Sequence, residues 1–179
     1  LMYYYGEGTL KDLKKAFYWF EKSAEQGNAK AQFNLRKMDD NGEGTLKDLK
    51  KAFYWIEKSA EQGYAIAQYS LGNMYYFGEG TLIDKEHAFY WIEKSAEHGN
   101  AEAQFNLGSM YYNGEGTLKD LKKAFYWYEK SAEQGHAEAQ YELGKMYDNG
   151  KGTLKDLKQA FYWYEKSAEQ GIAEAQFNL

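Results

Sequence analysis

The residues in this chain that could support catalysis or metal binding are few, and they do not converge. Its histidines, His87, His98 and His136, stand at three different phases of a recurring pattern, and nothing that an imidazole could activate recurs beside them. They read as surface or loop-edge substitutions, and the intervals between them do not suggest metal ligation. Cysteine is absent, which excludes disulfides and thiolate zinc sites. The stretch Asp39-Asp40-Asn41-Gly42-Glu43 has a calcium-loop composition but no acid at the twelfth position, so it reads as a solvated helix end. Gly-Glu-Gly triplets such as Gly114-Glu115-Gly116 invite comparison with phosphate cradles. No strand precedes them, the third glycine of a dinucleotide fingerprint is missing, and Glu115 would repel an anion, so they read as turns.

The aromatic residues offer a different chemistry, a cage for a ligand. Trp19, Trp55, Trp91, Trp127 and Trp163 hold one phase throughout, which assigns them to a packed core rather than to a cage. Tyr18, Tyr54, Tyr90, Tyr126 and Tyr162 project among lysines, either as an exposed aromatic ladder or as a cover for the lysine stems.

These residues are positioned by a repeat. The tryptophans and the glycine pairs recur every 36 residues, and 6–27, 42–63 and 114–135 all read GEGTLKDLKKAFYWxEKSAEQG, with x being Phe20, Ile56 or Tyr128. A strict period of this length means units that bury their apolar faces only by stacking, which points to a binding surface rather than a catalytic pocket. The units run near 1–28, 29–64, 65–100, 101–136 and 137–172, with a partial helix at 173–179. The chain spans five periods less one residue and lacks an initiator methionine and a polar capping repeat, so the expectation is a piece of a longer array.

Composition narrows the partner. A hydrophobic content of 44%, with 18% aromatic, supports a folded core. The formal charge of −5, with glutamates beside each lysine cluster, argues against nucleic acid and for a protein or peptide. No apolar run reaches the length that spans a bilayer, and no signal-peptide pattern appears, so no direct membrane insertion and a cytoplasmic setting are expected.

Within the unit 101–136, Ala103, Leu107, Met110 and Tyr111 recur at helical spacing, and Ala101, Phe105 and Gly108 form a second apolar strip. This is helix A; Gly108 predicts close approach of a neighbouring backbone. Asn113 to Gly116 break it, and Thr117 with Asp120 predicts a capping box opening helix B. There Leu121, Ala124, Phe125, Trp127, Tyr128, Ser131 and Ala132 form an apolar arc, and Gly135 ends the helix. With no proline and no strand-like alternation, the fold class is all-α, built of antiparallel helix pairs.

The pattern Ala103-x3-Leu107-Gly108-x2-Tyr111, Gly114-x-Gly116, Asp120, Lys123-Ala124, Trp127-Tyr128-Glu-Lys-Ser131-Ala132, Glu133-Gln-Gly135 resembles the Sel-1-like repeat family, relatives of the tetratricopeptide repeat. The resemblance covers the whole chain. Thr117 stands where the family more often has valine, and Ser131 where it often has alanine. It implies a right-handed superhelical solenoid whose A helices line a concave face, and a scaffold or adaptor role. It also implies alternatives: a regulatory array attached to a kinase-like catalytic domain elsewhere, or end-to-end self-association. Enzymatic activity, proposed for some cysteine-rich relatives that bind β-lactams, finds no cysteine, serine-lysine or histidine constellation here. The expectation is a non-catalytic array with no cofactor.

The copies differ mainly on one strip of helix A. Lys30, Ile66, Glu102 and Glu138 share one phase, Asn34, Ser70, Asn106 and Glu142 a second, and Lys37, Asn73, Ser109 and Lys145 a third. This strip is the candidate protein-binding surface; neutral drift on a solvated face accounts for the same variation. The third unit is the most apolar, with Tyr64, Ile66, Tyr69, Tyr76 and Phe77 on or beside helix A, a composition suited to anchoring a peptide. In the second unit Arg36 replaces the glycine of Gly72, Gly108 and Gly144, and Asp39 replaces Tyr75, Tyr111 and Tyr147. The spacing allows Arg36 to pair with Asp39 or with Asp40 and predicts a locally looser helix.

Overall fold

Each unit carries its own start and stop signals, and the backbone obeys them. In the computed structural model, which describes all 179 residues, the chain forms helices and no strand: α1 (Met2–Tyr5), α2 (Leu13–Glu25), α3 (Ala29–Asn41), α4 (Leu49–Glu61), α5 (Ala65–Phe77), α6 (Lys85–Glu97), α7 (Ala101–Asn113), α8 (Leu121–Glu133), α9 (Ala137–Asn149), α10 (Leu157–Glu169) and α11 (Ala173–Asn178). Odd-numbered elements are A helices and even-numbered ones are B helices. They fall into two compact units, Leu1–Asp84 with α1 to α5 and Lys85–Leu179 with α6 to α11. Inside each unit an A helix packs on the B helix that follows it, and that B helix on the next A helix.

The B helices begin differently from the capping-box expectation. Asp120 itself is the cap: its Oδ1 accepts the N–H of Lys122 and Lys123, each at 3.0 Å, while Thr117 stands outside the helix. An ionised carboxylate is the stronger acceptor and also suits the positive end of the helix dipole. Asp12, Asp48 and Asp156 cap their helices in the same way. The A helices stop at a left-handed glycine: Gly114 has φ of +79° and donates its N–H to the Met110 carbonyl. The second glycine of the triplet does more than turn the chain. A Cβ at Gly116 would collide with the Lys85 carbonyl at the start of the preceding B helix, and one at Gly44 with the Leu13 carbonyl, so the triplet is a stacking contact between repeats.

The core is built of alanine, leucine and methionine, with one larger residue per B helix. In the first unit Ala16, Phe20, Ala24, Leu35 and Met38 cluster with Trp55 against them; in the second, Ala132, Ala139 and Leu143 cluster with Phe105, Phe125, Tyr147 and Trp163 against them. The tryptophans are therefore not core residues as expected: Trp19 is 57% exposed and the other four are half-buried. Alanine-rich helices approach closely, which leaves an indole at the edge of the arc only one face to bury. Each indole also meets the preceding tyrosine ring edge to face, with centroids 4.9–5.1 Å apart. Lys94 and Lys130 lie over Tyr90 and Tyr126, so the exposed tyrosines are both a ladder and a cover for lysines.

Gly108 and Gly144 do have a packing reason, but it is a ring rather than a backbone. A Cβ at Gly108 would lie 2.7 Å from the ring of Tyr128, and one at Gly144 equally close to Tyr164. In the second unit of the repeat, where Arg36 replaces this glycine, the residue at the phase of Tyr128 is the ringless Ile56.

Candidate protein-interaction face

A strip for recognition must be exposed, must be held rigidly and must vary from copy to copy. On α5, Ile66, Ser70, Asn73 and Phe77 follow one another by four, three and four residues, which places them on one side of the helix over about 16 Å. Ile66 is 45% exposed and Phe77 64%, while Tyr76 is half-buried with its ring edge to face on Phe77 at 4.9 Å. On α3 the same side carries Lys30 and Lys37, both exposed, and a half-buried Asn34, whose amide donates to the Lys30 carbonyl. The second unit repeats the arrangement with acids: Glu102 and Glu138 are exposed on α7 and α9, and Glu142 forms a 2.8 Å ion pair with Lys145. Asn106 is half-buried, and Ser109 is turned inward, where its hydroxyl donates to the Phe105 carbonyl at 3.2 Å and lies 3.1 Å from the Tyr128 hydroxyl.

Two ring contacts bind neighbouring strips side by side. Tyr64, just before α5, meets Phe33 on α3 edge to face at 5.6 Å; His136, just before α9, stacks on Phe105 of α7 at 4.8 Å. Tyr64 is therefore a clamp between repeats as well as a surface residue. It also lines a hollow of about 560 Å³ with Asn28, Lys30 and Gln62. His136 stands at a loop edge, one of the two places expected for the histidines, but there it is a helix cap and not a surface substitution. Its ring is 9% exposed, its Nδ1 accepts the Ala139 N–H at 3.3 Å as the cap of α9, and its Nε2 lies 3.2 Å from Glu102. Asn28 and Asn100 occupy the same place at α3 and α7 and cap through Oδ1, which is the signal that identifies His136 as a cap. His87 and His98 are exposed.

Rigidity comes from a polar network that the apolar pattern does not announce. Gln32, Gln68, Gln104 and Gln140 are at most 5% exposed, and each donates to a carbonyl at the end of the preceding B helix, Ala24, Ala60, Ala96 or Ala132. Gln62, Gln134 and Gln170 then donate to Oε1 of Gln32, Gln104 and Gln140 at 2.7–2.8 Å. The serines that replace alanine donate across the hairpin, Ser59 to the Ala29 carbonyl, Ser131 to that of Ala101 and Ser167 to that of Ala137, each at 2.8 Å. Identity of these glutamines in every copy is the sequence signal for the network.

One place breaks this rule of satisfied polar groups. Asp39 is 0% exposed, and neither carboxylate oxygen has a partner; Arg36 pairs instead with Asp40 at 3.6 Å, and its Nε is also unpartnered. Burial pushes the Asp39 carboxyl up to about 6, partly opposed by the charge of Lys51. The segment 39–43 is thus not a solvated helix end: Asp39 is interior, Asp40 is paired and Glu43 accepts the Tyr4 hydroxyl at 2.8 Å. No group of three or more His, Cys, Asp or Glu side chains is arranged to hold a metal ion. No helix is long and apolar enough to cross a membrane.

The sequence profile of the Sel1 repeat matches five times, at 1–28, 29–64, 65–100, 101–136 and 137–172. No curated protein matches the chain. Among solved structures it is similar to a protective antigen of uropathogenic Escherichia coli with an SLR fold, at 37% identity and a TM-score of 0.96, over 99% of this chain and 38% of the antigen. A Sel1 repeat protein from Oxalobacter formigenes aligns at 38% identity and a TM-score of 0.86 over 97% of this chain and 71% of its own. The cysteine-rich protein B of Helicobacter pylori aligns at 30% identity and a TM-score of 0.59 over 74% of this chain and 96% of its own.

Proposed function

The chain belongs to the Sel1 repeat family, and we propose that it acts as a non-catalytic scaffold that binds a protein or peptide along the variable strip of its A helices. Sel1 repeat proteins are in general protein-interaction scaffolds. The observation that carries the finer reading is the contrast within one helix: Leu71 and Met74 of α5 are almost fully buried while Ile66 and Phe77 are exposed on its other side. Apolar side chains held in the open on a rigid helix suit anchoring to a partner, and the lysines of α3 supply charge beside them. Lys30, Asn34, Lys37, Tyr64, Ile66, Ser70, Asn73, Tyr76 and Phe77 form the part of this face in the first unit, and Glu102, Asn106, Glu138, Glu142 and Lys145 the part in the second, where the inward-turned Ser109 drops out of the strip.

The test is affinity capture from an extract with the wild-type array and an Ile66→Asp/Phe77→Ser variant in parallel, read by mass spectrometry. Both side chains are exposed, so the variant keeps its helical circular dichroism. Partners lost from the variant alone support the reading, and identical captures contradict it.

A further inference from the structure

Each B helix carries an exposed tyrosine that the core does not use. In the second unit these are Tyr90, Tyr126 and Tyr162, each 46–48% exposed and each followed by a half-buried tryptophan, Trp91, Trp127 or Trp163. The two rings stand edge to face with centroids 5.0 Å apart, so every pair forms a fixed aromatic notch. Helix α6 departs most from the other copies, with Lys85, Glu86 and His87 at its start, yet it keeps Tyr90 and Trp91. Between α6 and α8 the surface is concave: Tyr126, Trp127 and Lys130 of α8 line a hollow of about 450 Å³ with Ala96 and Glu97 of α6 and Gln104 of α7.

The free polar groups of these notches are donors. Neither the phenol O–H nor the indole N–H of any of the three pairs is hydrogen-bonded within the chain, and each indole N–H reaches solvent. The neighbouring acceptors are engaged: Glu97, Glu133 and Glu169 hold Lys94, Lys130 and Lys166 at 3.1–3.3 Å, and the Gln104 Oε1 accepts from Gln134. Glu93 and Glu129 lie on the flank that faces the next A helix, beside Tyr111 and Tyr147. Helices α6, α8 and α10 together carry seven lysines and seven glutamates, so they do not select a charged ligand.

The ligand that fits has apolar rings, no charge, and acceptors without donors. A proline-rich segment meets all three conditions. Its pyrrolidine rings pack on aromatic side chains, its prolines have no N–H, and in the polyproline II conformation its carbonyls have no partner of their own. A sugar chain would stack on the same rings, but each of its hydroxyls is also a donor and calls for acceptors that this face has committed to lysine. We propose that the face formed by α6, α8 and α10 binds a proline-rich segment in the polyproline II conformation, with prolines in the Tyr–Trp notches and the indole N–H groups donating to its carbonyls. This surface lies on the other helix of each hairpin from the A-helix strip.

The test is calorimetric titration with a synthetic oligoproline, with a glycine–serine peptide of equal length and a soluble glucan oligosaccharide as comparisons. Wild-type protein is expected to bind the oligoproline alone, with an affinity that changes less than about twofold with added salt, as an uncharged ligand requires. Helices α2 and α4 carry the same aromatic pairs, so the variants change all five copies. Tyr18→Ser/Tyr54→Ser/Tyr90→Ser/Tyr126→Ser/Tyr162→Ser should lose at least about tenfold in affinity while keeping its circular dichroism, since every one of these side chains is exposed. Trp19→Phe/Trp55→Phe/Trp91→Phe/Trp127→Phe/Trp163→Phe keeps a ring in each notch, removes the indole donors and should bind about threefold or more weakly. Wild-type protein that ignores the oligoproline, or that binds the oligosaccharide in its place, overturns the proposal, as does unchanged binding by the tyrosine variant.

Discussion

Helices α3 and α7 are the same element with different interiors. Both have 13 residues, both are capped by an asparagine, Asn28 or Asn100, and both stop at a left-handed glycine, Gly42 or Gly114. At the position where α7 has Tyr111, α3 has Asp39. The Tyr111 ring meets Phe89 edge to face at 5.3 Å, its hydroxyl donates to Glu93 at 3.3 Å, and Lys123 lies over it at 5.0 Å. Asp39 has no hydrogen-bond partner at all. The two backbones agree because caps, glycines and the glutamine network specify them, and none of these depends on the residue at that position. What the exchange alters is local stability, since a buried unpaired carboxyl costs free energy that a ring with a satisfied hydroxyl does not.

The largest effect should come from carrying the defect into the sound helix. Tyr111→Asp removes the ring contact and buries a carboxylate, and urea unfolding at neutral pH should show a loss of about 3–4 kcal/mol. A loss under about 1 kcal/mol would mean that the site relaxes and that the comparison overstates burial. The reverse exchange, Asp39→Tyr, should raise stability by about 2 kcal/mol, and no gain would show that the space around Asp39 does not admit a ring.

Proton linkage sharpens the comparison, because only α3 contains such a group. The Asp39 carboxyl, at about 6 in the folded chain against an ordinary 3.8, binds its proton more tightly when folded. Its contribution is therefore fully present below the ordinary value and is lost as pH rises through about 6, a change of roughly 2–3 kcal/mol at most. The cap Asp12, held low chiefly by the Lys15 N–H, acts in the opposite sense and loses its contribution as pH falls. The quantity to measure is thus the difference between wild type and Asp39→Asn, which should narrow from pH 7.5 towards pH 5 if the wild-type proton is the cause. A constant difference across that range would contradict the assignment. The smallest effect should be the most uniform: Asn28→Ala and Asn100→Ala should each cost about 1 kcal/mol, because the caps are alike. Unequal costs would show that the loosened interior of α3 reaches its first turn.

The helix pairs, their period and their stops are legible in the sequence because periodicity and glycine report backbone states directly. The candidate strip is legible for a related reason: Lys30, Ile66, Glu102 and Glu138 vary where Ala31, Ala67, Ala103 and Ala139 do not. Other features depend on distances that a sequence does not carry. Trp127 belongs to the apolar arc by angle, yet its burial is set by how closely the alanines let the helices approach. Gln104 is polar and falls beside the apolar strip, so hydropathy hides a residue that joins three helices through two hydrogen bonds. Leu118 looks like an ordinary apolar residue before a helix, and only the structure shows that it touches almost nothing. Arg36 and Asp39 are three apart and invite pairing, but Asp40 lies within reach of the guanidinium and Asp39 does not.

Hydrogen exchange of residues 29–41 against 101–113 at neutral pH tests the central contrast most directly, since both segments have the same length and caps. Faster exchange in 29–41, slowed to the rate of 101–113 by Asp39→Tyr, is the result predicted here. Equal protection of the two segments in the wild-type protein would contradict it.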